Sequence, residues 1–221
     1  MPSNTFSPQP QPGHLPHRVE ELRQELRRYN PSTFAVRTKA VYISTGEGHG
    51  QFRLPLWGRE IHLSWPDLVA RDPDSGRELS VDQQALVIYY FHTSDGAPLA
   101  ERWISFSELP GGGFYAQAYQ GYSGNELART FGEDTAAFER AALAAGGYTV
   151  PFADLAFAFP LLPRLSLLAA YWAGDEDFPA SMRVLFDAAA EHHLPMDVCA
   201  IAGGMLTRRI LKAHRAWVDQ Q

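Results

Sequence analysis

Apolar residues recur at helical spacing in two segments of the first half of the chain. Residues 17–29 carry an apolar stripe with arginine and glutamate on the other faces, which predicts an amphipathic helix that ends at Asn30-Pro31. Residues 80–91 open with Ser80 and Gln83, a capping-box pair, and continue with apolar residues at helical spacing. We predict a second helix there, although residues 87–91 are rich in β-branched and aromatic side chains.

Helical patterns return after residue 114. The sequence predicts a helical stretch over residues 115–122, a helix that opens with the capping-box pair Ser123 and Glu126, and a helix over residues 135–145 that ends at Gly146-Gly147. Two C-terminal helices are predicted over residues 179–193 and 197–217. Their apolar stripes are Met182, Leu185, Phe186, Ala189 and His193 in the first, and Cys199, Ala202, Leu206, Ile210, Ala213 and Trp217 in the second.

Strand patterns fill most of the remaining sequence. Residues 34–44 alternate loosely between apolar and polar, and residues 51–57 and 60–65 flank Gly58-Arg59, which predicts a tight hairpin. Further strands are predicted at residues 103–106, 153–159 and 165–172. The expected fold is a single α+β domain over residues 17–221, a mostly antiparallel sheet covered by helices and closed by the two C-terminal helices. Residues 1–16 are expected to be a disordered tail, since they hold few apolar side chains.

Composition and charge narrow the classes of function. The net charge is −6 and no long basic run occurs, which disfavours a nucleic-acid-binding surface. The most apolar window, residues 152–173, is interrupted by charged residues and prolines, so a membrane span is not expected. The single cysteine, Cys199, rules out an internal disulfide framework and a multi-thiolate metal site built by this chain alone. The sequence predicts a soluble cytoplasmic protein without nucleic-acid or membrane partners.

Candidate metal ligands occur at two places. Asp175, Glu176 and Asp177 are adjacent carboxylates, which suit a hard cation such as calcium or magnesium. They also precede Pro179, the first position of a predicted helix, where acidic residues interact favourably with the helix dipole, so both interpretations stay open. His192 could add a nitrogen ligand, whereas its neighbour His193 falls in the apolar stripe and is typical of a hydrogen-bonded core histidine.

A candidate ligand pocket combines aromatic residues with one arginine. The segment 103–122 is aromatic and contains Glu108 and the glycines 111–113, a composition typical of many ligand pockets but also of ordinary cores. Arg164 lies between two apolar strand patterns and needs an anionic partner, either the 175–177 carboxylates or a ligand. The residues assigned to cofactor binding are Trp103, Glu108, Tyr115, Tyr119, Arg164 and Trp172. Cys199 lies within an apolar stripe, which predicts a buried and inert thiol.

Several short motifs resemble one uncharacterised prokaryotic domain-of-unknown-function family that is common in anaerobes. They are Trp103-Ile-Ser-Phe-Ser-Glu-Leu-Pro-Gly-Gly112, Phe114-Tyr115, Leu162-Pro-Arg164, Trp172-Ala-Gly-Asp-Glu-Asp-Phe-Pro179, Leu185-Phe-Asp187 and Leu194-Pro-Met-Asp197. The resemblance covers roughly residues 20–213 and supplies no catalytic residues. It implies work beside redox or corrinoid metabolism, because some members carry a four-cysteine iron–sulfur module. This chain has no cysteine in its first residues, which puts any iron–sulfur role in doubt.

Three functional hypotheses follow. The leading one is an accessory binding protein for an anionic small molecule or cofactor, with a tetrapyrrole-like ligand as one option, in a pocket lined by Arg164, residues 175–177 and the segment 103–122. The second is a metal-dependent hydrolase or lyase that uses Asp175, Asp177 and His192. The third is an interaction module that docks on a redox partner through its acidic surface. The sequence identifies no specific cofactor and leaves open whether the protein is an enzyme.

Overall fold

The computed structural model describes residues 14–220, which form two antiparallel sheets and seven α-helices. The helices are α1 (His14–Leu26), α2 (Pro31–Thr38), α3 (Val81–Thr93), α4 (Ala116–Tyr122), α5 (Gly124–Phe131), α6 (Thr135–Ala144) and α7 (Met196–Val218). Short 3₁₀ helices lie at Phe106–Glu108, Gly112–Phe114 and Ala188–His192. The predicted tail falls mostly outside the described residues, but residues 14–16 belong to α1.

The first sheet has four strands in the order of the sequence. They are β1 (Val41–Gly46), β2 (His49–Leu56), β3 (Arg59–Trp65) and β4 (Ala70–Arg71). The predicted hairpin is confirmed, because β2 and β3 pair from Gly50–Trp65 to Leu56–Arg59. Its turn is Trp57-Gly58, one residue earlier than the predicted Gly58-Arg59, because Arg59 pairs with Leu56 as the first residue of β3. Both turn residues have positive φ, 53° for Trp57 and 74° for Gly58, as two-residue hairpin turns of this kind require.

The second sheet has five strands in the order β5-β9-β8-β7-β6. They are β5 (Trp103–Ile104), β6 (Tyr148–Thr149), β7 (Leu155–Leu162), β8 (Leu165–Trp172) and β9 (Ser181–Asp187). Strands β7 and β8 confirm the two predicted late strands. The α+β class and the mostly antiparallel pairing are therefore confirmed.

The helix predicted over residues 179–193 is wrong. Residues 181–187 form β9, which pairs with β8 from Trp172–Ser181 to Leu167–Phe186, and a 3₁₀ helix follows at Ala188–His192. Met182, Val184 and Phe186 are buried in the main core, a period-2 pattern that the helical stripe had obscured. One C-terminal helix, α7, closes the fold instead of two.

Two further predictions, the strand that begins at residue 34 and the capping box at Ser123, are wrong because the helix N-termini are capped differently. Residues 31–38 form helix α2 instead of the start of a strand, because the Asn30 side chain accepts a hydrogen bond from Ser32 N at 2.9 Å and Pro31 occupies the first turn. Ser123 and Glu126 form no capping box, since the Ser123 hydroxyl donates to the carbonyl of Tyr119 in the preceding helix. The capping box of Ser80 and Gln83 is present at the start of α3.

The two sheets are joined by one backbone hydrogen bond and one core. Trp57 N donates to Leu161 O at 2.9 Å, which links the β2–β3 turn to β7. One apolar cluster contains buried residues of both sheets, among them Phe52 of β2 and Phe157 of β7. Within residues 14–220, no helix combines the length and apolar character that a membrane crossing needs.

Candidate functional site

The structure separates Arg164 from the acidic turn. Arg164 lies in the turn before β8, and Asp175, Glu176 and Asp177 follow the other end of that strand. Eight residues of β8 span about 26 Å at about 3.3 Å per residue. The expected convergence of these charges on one pocket does not occur.

Arg164 is held by backbone carbonyls. Its Nη1 and Nη2 donate to Ala97 O at 3.5 Å and Val36 O at 3.4 Å, and its buried Nε has no hydrogen-bond partner in the described part of the chain. No carboxylate oxygen within residues 14–220 lies within 4.0 Å of the guanidinium. The predicted ion pair with the acidic turn is therefore wrong.

The acidic turn, residues 175–177, is stabilised by hydrogen bonds from its own backbone and from the next residue. Asp175 Oδ1 accepts hydrogen bonds from Asp177 N at 2.9 Å and Phe178 N at 2.8 Å, within the exposed connection between β8 and β9. Because a strand follows, the helix-dipole interpretation of these carboxylates is wrong. Among the described residues, no three His, Cys, Asp or Glu side chains are grouped to hold a metal ion.

His192 and His193 lie at the other end of β9 from the acidic turn. The exposed His192 donates through Nδ1 to Asp95 Oδ2 at 2.7 Å, and this bond raises the pKa of His192. His193 is fully buried, bonded to Ser94 Oγ and to Ala97 O at 3.1 Å each. Burial lowers the pKa of His193. The prediction of a satisfied core histidine is confirmed.

Cys199 lies on α7 with no exposed surface. Burial, followed by the charge of Asp197, raises the pKa of its thiol far above the ordinary value. A thiol that stays protonated is a poor nucleophile and a poor metal ligand. The prediction of a buried thiol is confirmed, and its pKa supports the expected lack of reactivity.

The aromatic segment borders a groove of about 280 Å³ along the outer edge of β9. One wall is the 3₁₀ helix Phe106–Glu108 together with α4, and the other is β9 itself. The polar residues that line the groove are Ser105, Ser107, Gln120, Ser181 and Arg183. Five of the six residues assigned to cofactor binding lie in or beside these elements: Trp103, Glu108, Tyr115, Tyr119 and Trp172.

The outer edge of β9 is paired with a neighbouring strand over only part of its length. Strand β5 pairs with Phe186 and Asp187 alone, so residues 181–185 have no partner strand on that side among the described residues. The carbonyls of Met182 and Val184 point toward α4, where Gln120 Nε2 donates at 2.8 Å and the Tyr119 hydroxyl at 3.3 Å. In an antiparallel strand the N–H and C=O of one residue point the same way, so the amides of Met182 and Val184 also face this edge.

Arg183 supplies the positive charge that the sequence analysis had assigned to Arg164. The side chain is exposed, lines the groove and has no carboxylate within 4.0 Å in the described part of the chain. Its guanidinium carbon lies 5.7 Å from the centre of the Trp172 ring. The pairing of Trp103 with Asp187 and of Trp172 with Ser181 places both tryptophans on the sheet face of Arg183.

The remaining predicted residues support the groove. Tyr119 is 3% exposed and stacks on Phe106 at 4.3 Å, and burial raises the pKa of its hydroxyl so that it stays neutral. Glu108 Oε2 accepts from Ser105 N and Ser105 Oγ at 2.7 Å each, which fixes the wall. Tyr115 is half-buried at the start of α4.

Sequence reasoning missed Arg183 because it assigned residues 179–193 to a helix, where Arg183 fell on a solvated face. The alternation of exposed and buried residues in β9 would have revealed it, since Arg183 follows Met182 and precedes Val184. Ser105, Ser107 and Gln120 carried no signal in the sequence. Their role depends on the position of α4 beside the strand.

The family matches most of the chain. Residues 30–209 match the family described as "Domain of unknown function (DUF3786)". The chain belongs to this family. No curated protein and no solved structure matches the chain. The matched range begins after α1 and includes every element that lines the β9 groove.

Proposed function

We propose that this DUF3786 protein is an accessory binding protein for a small anionic molecule, held in the groove along β9. The observation that carries the proposal is Arg183, an exposed cation without a carboxylate partner in the described structure, beside an incompletely paired strand edge. A carboxylate or phosphate group would accept hydrogen bonds from the guanidinium, and charge-assisted bonds of this kind are the strong ones.

The surroundings of Arg183 suit a ligand with an anionic group and a flat apolar part. The amides of Met182 and Val184, which face the open edge of β9, offer further donors. Trp103 and Trp172 supply aromatic surface on the adjoining sheet face. A volume of about 280 Å³ lies near the lower end of the range for small-molecule sites, so a compact ligand fits better than a tetrapyrrole, which the groove would cover only in part.

The resemblance to a family in which some members carry an iron–sulfur module implies work beside redox or corrinoid metabolism, which gives this ligand a context. The chain gives no support for binding an iron–sulfur cluster, because its single cysteine is buried and the pKa of that thiol is raised. We infer a binding role beside such enzymes, in a prokaryotic cytoplasm, with no catalytic step assigned.

The test uses anilinonaphthalene sulfonate, a flat aromatic anion, with fluorescence titration of the folded protein at low ionic strength. We expect Arg183→Ala to weaken binding by about ten-fold or more, since a hydrogen bond to a charged group contributes about 1.5–3 kcal/mol. Ser107→Trp, which fills the groove and keeps the charge, is expected to abolish binding.

The matched control is Arg28→Ala, which removes an exposed arginine beyond the end of α1. This variant should bind the probe as the wild type does. Equal affinity of the wild type and Arg183→Ala, with unchanged far-ultraviolet circular dichroism and melting temperature, would remove the β9 groove as the anion site.

A further inference from the structure

Strand β1 forms an open edge of the four-stranded sheet, which is not the sheet that carries the β9 groove. Residues Val41–Ser44 lie in regular register on β2, and the register shifts only beyond Ser44. In the described part of the chain, no strand pairs with the outer side of β1. An unpaired edge presents N–H and C=O groups to which a second strand can bind.

The other outer strands within residues 14–220 are protected against such pairing. Strands β4, β5 and β6 have two residues each. The open part of β9 lies against α4, from which Tyr119 and Gln120 donate hydrogen bonds to its carbonyls. Strand β1, in contrast, has six residues and contains neither a charged side chain nor a proline, which are the residues that commonly block an edge.

The β2–β3 hairpin determines which residues of β2 bond to β1. Its two-residue turn, with positive φ at both positions, makes Leu56 and Arg59 a hydrogen-bonded pair. Because the direction of the backbone groups alternates along a strand, Arg53 and Gln51 direct their N–H and C=O groups toward β1.

The partners of these two residues on β1 are Val41 and Ile43, whose N–H and C=O groups therefore face β2. The corresponding groups of Tyr42 and Ser44 point away from the sheet. Val41 and Ile43 also share one side-chain face, where Val41 is 61% exposed and Ile43 is half-buried. The edge thus combines two free donors and two free acceptors with an apolar stripe.

We propose that β1 pairs with β1 of a second copy of this chain, antiparallel about a two-fold axis at Ile43. In this register Tyr42 of each copy exchanges two hydrogen bonds with Ser44 of the other copy. The two Ile43 side chains meet at the axis as a non-hydrogen-bonded pair, in which side chains approach most closely. The two four-stranded sheets become one continuous sheet.

The charges that flank β1 favour a second copy over an unrelated strand. Lys39 and Glu47 lie equally far from Ile43 in sequence, so the two-fold axis brings Lys39 of each copy to the end where Glu47 of the other lies. Both side chains are exposed, and neither has an oppositely charged group within 4.0 Å among residues 14–220. A parallel pairing in register would instead place like charges side by side.

Sedimentation velocity at low ionic strength, over about a hundred-fold range of protein concentration, measures the association. The contact is small, so we expect a weak dimer whose fraction rises with concentration. Ile43→Lys places two ammonium groups at the two-fold axis and should raise the dissociation constant about ten-fold or more. The matched control is Leu143→Lys, the same kind of change at an exposed position of α6, which should associate as the wild type does.

Reversal of the flanking charges tests the register. Lys39→Glu and Glu47→Lys each put like charges at both ends of the dimer. Each should weaken association about three-fold or more, since an exposed ion pair contributes up to about 1 kcal/mol. The double variant restores opposite charges at both ends and should dimerise as the wild type does. Far-ultraviolet circular dichroism verifies that each variant is folded.

Carbodiimide cross-linking gives a second readout. Lys39 and Glu47 of one chain are separated by the six residues of β1, about 20 Å, which is too far for a direct amide bond. In a mixture of isotope-labelled and unlabelled protein, we expect an amide between Lys39 of one copy and Glu47 of the other, detected by mass spectrometry. A wild type that stays monomeric at every concentration, a dimer that Ile43→Lys leaves intact, or a double variant that does not regain association would overturn the proposal.

Discussion

His192 and His193 are neighbours in sequence with opposite electrostatic surroundings. A carbonyl oxygen can only accept, so the proton of neutral His193 lies on Nε2, facing Ala97 O, and Nδ1 accepts from the Ser94 hydroxyl. Protonation of Nδ1 would reverse this bond, with the Ser94 hydroxyl as the acceptor, and would place a positive charge near Arg164. His192 instead gains a carboxylate partner in Asp95, which favours its charged form.

We predict that the two rings titrate on opposite sides of the ordinary histidine pKa of 6.5. Because folding lowers the pKa of His193, the unfolded chain takes up a proton there that the folded protein does not, and stability falls as the pH drops below 6.5. Each unit of lowering costs about 1.4 kcal/mol in acid. The stabilisation from the raised pKa of His192 is present below 6.5 and is lost as the pH rises through that pKa, but its exposure keeps it small.

Urea unfolding at pH 7.5 and pH 5.5, with histidine NMR titration, measures this difference. The loss of stability on acidification should shrink in His193→Gln, which cannot titrate, and persist in His192→Gln. A His193 ring that titrates above 6.5 in the folded protein would contradict the assignment.

At the scale of elements, the packing of α7 on α4 depends on Gly203. A Cβ at this position would overlap the Tyr119 hydroxyl and lie 2.6 Å from its Cε2 atom. The same hydroxyl donates to Val184 O, so a displaced Tyr119 would also disturb the β9 edge. Helix α7, Tyr119 and strand β9 are therefore packed so closely that residue 203 has room for a hydrogen atom but not for a Cβ.

We predict that Gly203→Ala destabilises the protein by about 1–3 kcal/mol, as overpacked cores do. Gly121→Ala in α4 is the matched control, since no atom lies within 4 Å of its added Cβ. That variant should be neutral or more stable by up to about 1 kcal/mol, because alanine is the better helix former. Urea titration of the two variants and the wild type measures both changes in the free energy of unfolding. Equal effects of the two substitutions would show that the contact with Tyr119 is unimportant.

At the scale of the whole molecule, the two sheets depend on one another. The packed ring pairs Phe52–Phe91, at 4.9 Å between centroids, and Phe138–Phe157, at 5.3 Å, lie on opposite sides of one continuous cluster. Neither sheet can lose its partner without exposing apolar surface of the other. The proposed single domain over residues 17–221 rests on this shared core.

We therefore predict one cooperative unfolding transition. Tryptophan fluorescence reports on all five tryptophans, which include Trp65 in the first sheet and Trp103 and Trp172 in the second. It should give the same urea midpoint as far-ultraviolet circular dichroism. Separate midpoints for the two probes would show that the sheets unfold independently.

Elements with local patterns could be predicted from the residues alone. The β2–β3 hairpin, the capped start of α3, the strands β7 and β8 and the amphipathic α7 follow from turn residues, caps and periodicity, which act within a few residues. The inert character of Cys199 and the satisfied state of His193 followed from the same stripes. The α+β class needed no more than the sum of these elements.

The strand conformation of β9 and the charged residue at its edge depend on contacts between distant parts of the chain. The spacing of Met182, Leu185 and Phe186 fits a helix, yet pairing with β8 makes the segment a strand, because ladder bonds and burial against distant residues outweigh local preference. That change placed Arg183 at the open edge of β9, whereas the separation of Arg164 from the acidic turn follows from β8, which the sequence had predicted. Contacts between residues far apart in sequence leave no local pattern, so the β9 groove could not be predicted.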